Sequence, residues 1–336
     1  MSNDLRGPGR KRTKVRRAIA TSGMALFVGA VLGVVFVGAC AAQQSNARHS
    51  HAGTASVFVS SSGSDRNGCS SSAPCASFDR AYHVALPGAV VSVAAGSYPA
   101  QVVTPDPSKL AGPDVVFQPA GAVSLAGLVI TGSHVEVDNL TTAGWYVNQG
   151  ASFVTLRNLT ATGSVFITSA SNVSVLGGSA GWGPGQYVSN GSQIKTASGS
   201  TTAPSNILID GVTFHDFRKT PGSFDHVDCL HILSGNGITI QNSRFVNCEA
   251  FDILFTVFGA SGSPTNVLVQ NNVLLQSQGY NSLLLGGGHG EVFINFMIRN
   301  NSSPQSISTG SANILQNVAF VNNQAPVTCS RLTQCS

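Results

Sequence analysis

Charge is scarce in this chain: only 10% of its 336 residues are Asp, Glu, Lys or Arg, while 42% are hydrophobic and 37 are glycine. Few charges and many glycines argue against a helical protein and for a turn-dense β-rich one. No Cys-x-x-Cys and no paired Cys/His spacing occurs, which excludes the usual structural zinc site. A basic patch is missing as well. The formal charge of +4 arises in residues 1–40, which hold seven Lys/Arg and one Asp, and the remainder has 11 basic and 13 acidic residues. Nucleic acid is therefore excluded as a partner, because a basic surface on the folded part would be needed.

The N-terminus supplies what the rest lacks. Arg6 to Arg17 is strongly positive, and Ala18 to Ala39 is an apolar run without a charge. This is the layout of an export signal over residues 1–40. Val37 to Cys40 (VGAC) matches a lipobox, with Cys40 as the residue to be acylated. Cleavage to a secreted form and an uncleaved membrane anchor stay open, since the run is long enough to span a bilayer. Residues 41–54 are small and polar and read as a linker, which leaves 55–336 as one extracellular or cell-surface domain, expected to be monomeric. Beyond Cys40 six cysteines remain, in three close pairs: Cys69/Cys75, Cys229/Cys248 and Cys329/Cys335. Disulfides in an oxidising compartment are the natural reading, with pairing by proximity preferred among 15 connectivities.

Folded sequence opens with a short strand in SVFVS and a turn-rich loop closed by Cys69 and Cys75. One helix follows, with Phe78, Ala81, Tyr82 and Leu86 at helical spacing and Pro87-Gly88 as its stop. From Val115 the chain repeats. Units open at Val115, His134, Phe153, Asn172, Asn206, Gly237, Asn266 and Glu291, and a last one opens near Asn313. Each begins with apolar residues at alternate positions, such as Val135/Val137 and Ile238/Ile240, which is a strand with one buried face. Asn139, Asn158, Gly177, Gly211, Asn242 and Asn271 follow at equivalent places. Asn and Gly interchange where the backbone needs a positive φ, so a left-handed corner is expected there. A unit near 20 residues cannot bury its own core, but stacked units can. About nine rungs spaced 4.8 Å apart give a rod on the order of 40 Å long. Two-residue hairpin turns are absent, which excludes the β-sandwich.

This pattern resembles the right-handed parallel β-helix proteins of the pectate-lyase-like superfamily over roughly residues 55–325. The resemblance implies an all-β solenoid with a short N-terminal capping helix, and a role in acting on extracellular polysaccharide. It extends to Asp225-His226-Val227-Asp228, which partly resembles the Asp-Pro-His-acid motif of β-helix mannuronan epimerases. The proline is missing and the second acid is displaced.

Chemistry belongs where units lengthen, between Asn172 and Thr265. There Asp210, Asp216, Asp225, Asp228, Glu249 and Asp252 make six of the 13 acids beyond residue 40. A uronate lyase or C5-epimerase needs a base near pH 7 and positive charge for an enolate-like intermediate. His226 or His231 suits the first, and Arg218 with Lys219 the second. Calcium held by Asp225, Asp228 or Asp252 is the other source of positive charge. A glycoside hydrolase would take two carboxylates from Asp225, Asp228 and Asp252. A transition-metal site of His226, Asp228 and His231 is disfavoured, because strand parity separates Asp228 from His231. The same parity turns Leu230, Ile232, Ile253 and Phe255 inward, and Cys229, His231 and Asp252 outward.

Bland readings stand beside these. Asp216 and Asp225 suit turns, Asp210 suits the corner, and Arg218-Lys219 suits an exposed loop. Trp145 and Trp182 are candidate sugar platforms or ordinary packing residues. His289, in a glycine-rich turn, is conformational rather than phosphate-binding. The alternative function is a non-catalytic glycan-binding or adhesin-like surface protein.

Overall fold

The computed structural model describes residues 54–257, 262–275, 281–312, 314–328 and 332–336. The export segment, nearly all of the linker, Cys40 and Cys329 lie outside the described residues. Among the described residues no helix is long and apolar enough to cross a membrane.

Alternating apolar residues build three parallel sheets, visited in turn by every coil of a right-handed parallel β-helix. Among the described residues the first sheet has twelve strands, the second eight and the third nine. Nine first-sheet strands, Val115–Pro119 through Ile314–Val321, are the nine repeat openings. In register, Val135, Val154, Val173, Ile207, Ile238, Val267, Phe296 and Val318 form one inward column. Val137, Leu156, Val175, Ile209, Ile240, Val269, Ile298 and Phe320 form a second, and both columns are buried. Each buried side chain contributes about 1.5–3 kcal/mol over its exposed state, so stacking rather than any single coil holds the rod together.

The six corners expected after first-sheet strands are left-handed, from Asn139 (φ 47°) and Asn158 (φ 53°) through Gly177 and Gly211 to Asn242 (φ 52°) and Asn271 (φ 56°). One residue past the corner, Asn272, Asn301 and Asn323 hydrogen-bond from rung to rung and cap inner carbonyls.

At the N-terminal end the helix Phe78–Val84 is capped by Ser77, whose Oγ accepts the Arg80 N–H at 3.0 Å. Phe78, Ala81 and Tyr82 close the core. Leu86 departs from expectation. Ala85 leaves the helix in an extended conformation (ψ 144°), so Leu86 is 77% exposed instead of continuing the apolar face.

Long turns run between the second and third sheets in two consecutive coils. One joins Ser179–Gly181 to Ser192–Lys195, and the next joins Thr213–Phe217 to Leu230–Ile232. They lie side by side, with the Val188 N–H donating to the Arg218 carbonyl at 2.8 Å.

Candidate functional site

The strand Leu230–Ile232 lies in the third sheet between Ser192–Lys195 and Ile253–Phe255. Leu230 and Ile232 face the core, and Ile253 and Phe255 do the same on the next coil. His231 therefore points outward, in register with Gln193 and Leu254. Cys229, expected outward, is buried and bonded to Cys248, which ties the turn to the second-sheet strand Arg244–Cys248. Cys69 and Cys75 are also bonded. Cys335 is disulfide-bonded too, its expected partner Cys329 lying outside the described residues.

Asp228 precedes the strand, so parity does not bind it. The chain bends before Leu230 and brings Asp228 under both imidazoles, which corrects the expected separation from His231. The carboxylate is only 1% exposed. His226 Nδ1 lies 3.2 Å from its Oδ1, and the Phe251 N–H donates to the same oxygen at 3.2 Å. His231 Nδ1 lies 3.4 Å from Oδ2, close enough for electrostatic attraction but out of line for a hydrogen bond. On the far side of its ring, His231 Nε2 meets Thr256 Oγ1 at 2.7 Å. The nearby carboxylate favours a proton on Nδ1, leaving Nε2 to accept from the threonine hydroxyl.

The two histidines are displaced in opposite directions. The hydrogen bond to Asp228 raises the pKa of His226, against a smaller opposing effect of burial and of Lys219. Burial lowers that of His231, with Asp228 opposing and Lys195 assisting. One site thus presents a neutral imidazole and a readily protonated one at the same pH.

The other sequence candidates are distributed around this cluster. Lys219 reaches towards Glu249 at 3.9 Å, and Arg218 towards Asp216 at 3.8 Å. Asp216 is structural: it has a positive φ (57°) and accepts from Asn247 Nδ2 at 2.9 Å. Asp210 likewise takes hydrogen bonds from Gln241 and Asn242. Asp225 sits exposed on the rim, its N–H donating to Ser223 Oγ at 3.0 Å. Asp252 does not face outward beside His231. It precedes its strand, is 0% exposed, and its carbonyl accepts the Leu230 N–H at 3.2 Å. Among the described residues no three His, Cys, Asp or Glu side chains are grouped to hold a metal ion, and of the three carboxylates considered for calcium Asp228 and Asp252 are buried while Asp225 is exposed.

Sequence reasoning missed Gln193, Lys195 and Thr256, which lie on the same outer face. Lys195 Nζ donates to Gln193 Oε1 at 2.7 Å and sits 5.3 Å from the Phe166 ring centre, and burial lowers its pKa. The polar alternation in Ser192–Lys195 was legible, but only the coil geometry puts it one rung from His231.

An open groove of about 440 Å³ borders the cluster, lined by Tyr146, Phe166, Trp182, Tyr187 and Asn190 among others. Trp182 is thus on a groove wall. Trp145 is not: it is buried in the core. The glycine-rich turn carrying His289 is occupied by its own chain, since the Gly287 and His289 N–H groups donate to the Glu291 carboxylate at 2.8 and 3.0 Å.

No family model matches the chain, and no curated protein matches it. Solved structures do. The A-module of the Azotobacter vinelandii mannuronan C-5 epimerase AlgE6 is similar at 14% identity and a TM-score of 0.43, over 77% of this chain and 92% of that one. Pectate lyase Pel9A is similar at 14% identity and a TM-score of 0.45, over 85% and 80%. An alginate lyase from Paenibacillus sp. str. FPU-7 is similar at 12% identity and a TM-score of 0.44, over 77% and 94%. By its three parallel sheets and its corner geometry, the chain has the fold of a right-handed parallel β-helix.

Proposed function

We propose that this chain is an exported enzyme acting on uronate-containing polysaccharide by proton abstraction next to the carboxylate, as a lyase or C5-epimerase. The observation that carries this is the pair His226 and His231, displaced oppositely in pKa and joined by the buried Asp228. His231, neutral near pH 7, takes the proton through Nε2 once substrate displaces the Thr256 hydroxyl. Lys195 and Lys219 supply positive charge for the substrate carboxylate and the enolate-like intermediate. His226, whose protonated form is favoured by its hydrogen bond to Asp228, then donates a proton. Delivery to the glycosidic oxygen leaving C4 gives a lyase, and delivery to the opposite face of C5 gives an epimerase.

A two-carboxylate hydrolase is less well supported, because Asp228 and Asp252 are 1% and 0% exposed. The buried Cys69–Cys75 and Cys229–Cys248 bridges support an oxidising compartment. The export signal, with acylation of Cys40, belongs to the same proposal. The test is incubation with uronate and neutral glycans, with and without calcium. Unsaturated-product absorbance reports a lyase, and solvent deuterium at C5 reports an epimerase. New reducing ends without unsaturation would replace this reading by hydrolysis, and binding without turnover would replace it by the adhesin-like alternative.

A further inference from the structure

The outer face of the third sheet changes character along the rod. Tyr146, Phe166, Gln193 and His231 occupy consecutive rungs in one register, so Tyr146 and His231 are about 14 Å apart along the axis. At the His231 end stand the cations Lys195 and Lys219. At the other end the Tyr146 and Phe166 rings stack with centres 5.0 Å apart and planes within 2°. Tyr146 is 39% and Tyr187 48% exposed, unusual for such large rings. Among the described residues the groove they line with Trp182 has no charged side chain on its walls, and Lys195 stands at its His231 end, 5.3 Å from the Phe166 ring centre.

Groove and cluster are continuous. Asn190 lines the groove, and a β-carbon on the following Gly191 would overlap the Asp228 carbonyl oxygen. Aromatic faces without ions favour the apolar face of an uncharged ring and offer nothing to a carboxylate. A pyranose unit advances a glycan chain by about one rung, so the sugar three units from the reacting uronate falls at the Tyr146 rung, one past Phe166 with its Lys195 at 5.3 Å.

From this gradient we infer that the substrate is a mixed glycan: a free uronate at His231 and an uncharged pyranose, neutral or ester-masked, in the groove of Tyr146, Trp182 and Tyr187. A homopolymer of free uronates would place a carboxylate in that groove, whose walls carry no charge among the described residues. This inference rests on the proposed function for the identity of the reacting sugar, and on the groove alone for its neighbour.

Binding is measured with the full chain carrying His231→Ala, which prevents turnover, by retardation in native gels containing one polymer each. The polymers are fully de-esterified polygalacturonate, highly methyl-esterified pectin, and hyaluronan, whose uronates alternate with a neutral sugar. Stronger retardation by the last two is expected, and Tyr146→Ala/Tyr187→Ala is expected to reduce that preference about tenfold. Tyr187→Ala alone, on an exposed turn, keeps the test open if the double variant does not fold. Polygalacturonate binding at least as tightly as the other two overturns the inference, as does an equal loss on all three or retardation by none. Retardation with the expected preference, but no product from the unmutated protein on any polymer, sinks the catalytic reading and leaves the subsite standing.

Discussion

Replacing both Cys229 and Cys248 by alanine tests whether the site depends on the staple beneath it. The bridge joins two residues 19 apart in sequence. Loop-closure entropy for that length is worth about 3 kcal/mol of stability at 25 °C. In a domain of this size that corresponds to a fall in Tm of about 5 °C. A solenoid couples mainly neighbouring coils, so the loss is expected to concentrate where the bridge sits. Amide exchange at Leu230–Ile232 and Ile253–Phe255 is expected to speed up by about 10²-fold, since 1.4 kcal/mol is a factor of ten. The comparison is Cys69–Cys75, which closes only six residues at the other end of the rod. Removing it is expected to cost about 2 kcal/mol and to leave exchange at Leu230–Ile232 unaltered. Hydrogen exchange by mass spectrometry, with thermal melts, reads both. A Tm within 1 °C of the parent and unchanged exchange at the site would refute the reasoning.

The remaining expectations concern the site and the core. Activity is expected to follow a bell-shaped pH profile, with its acid limb below the ordinary histidine value (His231) and its alkaline limb above it (His226). Asp228→Asn is expected to move the alkaline limb towards acid; an unmoved limb would sever His226 from Asp228. For stability the signs oppose. The raised His226 pKa stabilises at low pH, and that contribution is lost as pH rises through its folded value. The lowered His231 pKa stabilises above the unfolded value, and that contribution is lost as pH falls through the folded one. His231→Gln is expected to lower turnover by about 10²–10⁴-fold with the fold intact by circular dichroism, and near-parental rates would remove it as the base. Gly191→Ala is expected to displace Asp228 and cut activity, whereas Gly185→Ala, in open space at φ 75°, is expected to cost only the strain of that φ, about 1 kcal/mol; equal effects would remove the close-approach argument. Asn272→Ala leaves the buried Ser243 N–H and Ile240 carbonyl short of a partner and is expected to cost about 2–5 kcal/mol by denaturant titration, against under 1 kcal/mol for Asn271→Gly at the exposed corner.

By itself the sequence determined the coil. Period-two alternation needs only the geometry of one strand, and a residue such as Asn158 or Gly211 at a fixed place after it needs only the local φ. Both are properties of a few consecutive residues, and repetition makes them visible. It also marked the long turns and, through Leu230 and Ile232, the face on which His231 emerges. The tertiary structure decided which side chains meet. Asp228 lies in a turn whose path depends on Cys248 and on the Phe251 N–H, 20 or more residues away, so parity wrongly separated it from His231. Asp252 and Trp145 went inward because burial is set by neighbouring coils rather than by residue type. Thr256, Lys195, Tyr146 and Phe166 carry no local signature. They join one surface because parallel stacking places residues 20 to 40 apart in sequence one rung apart in space.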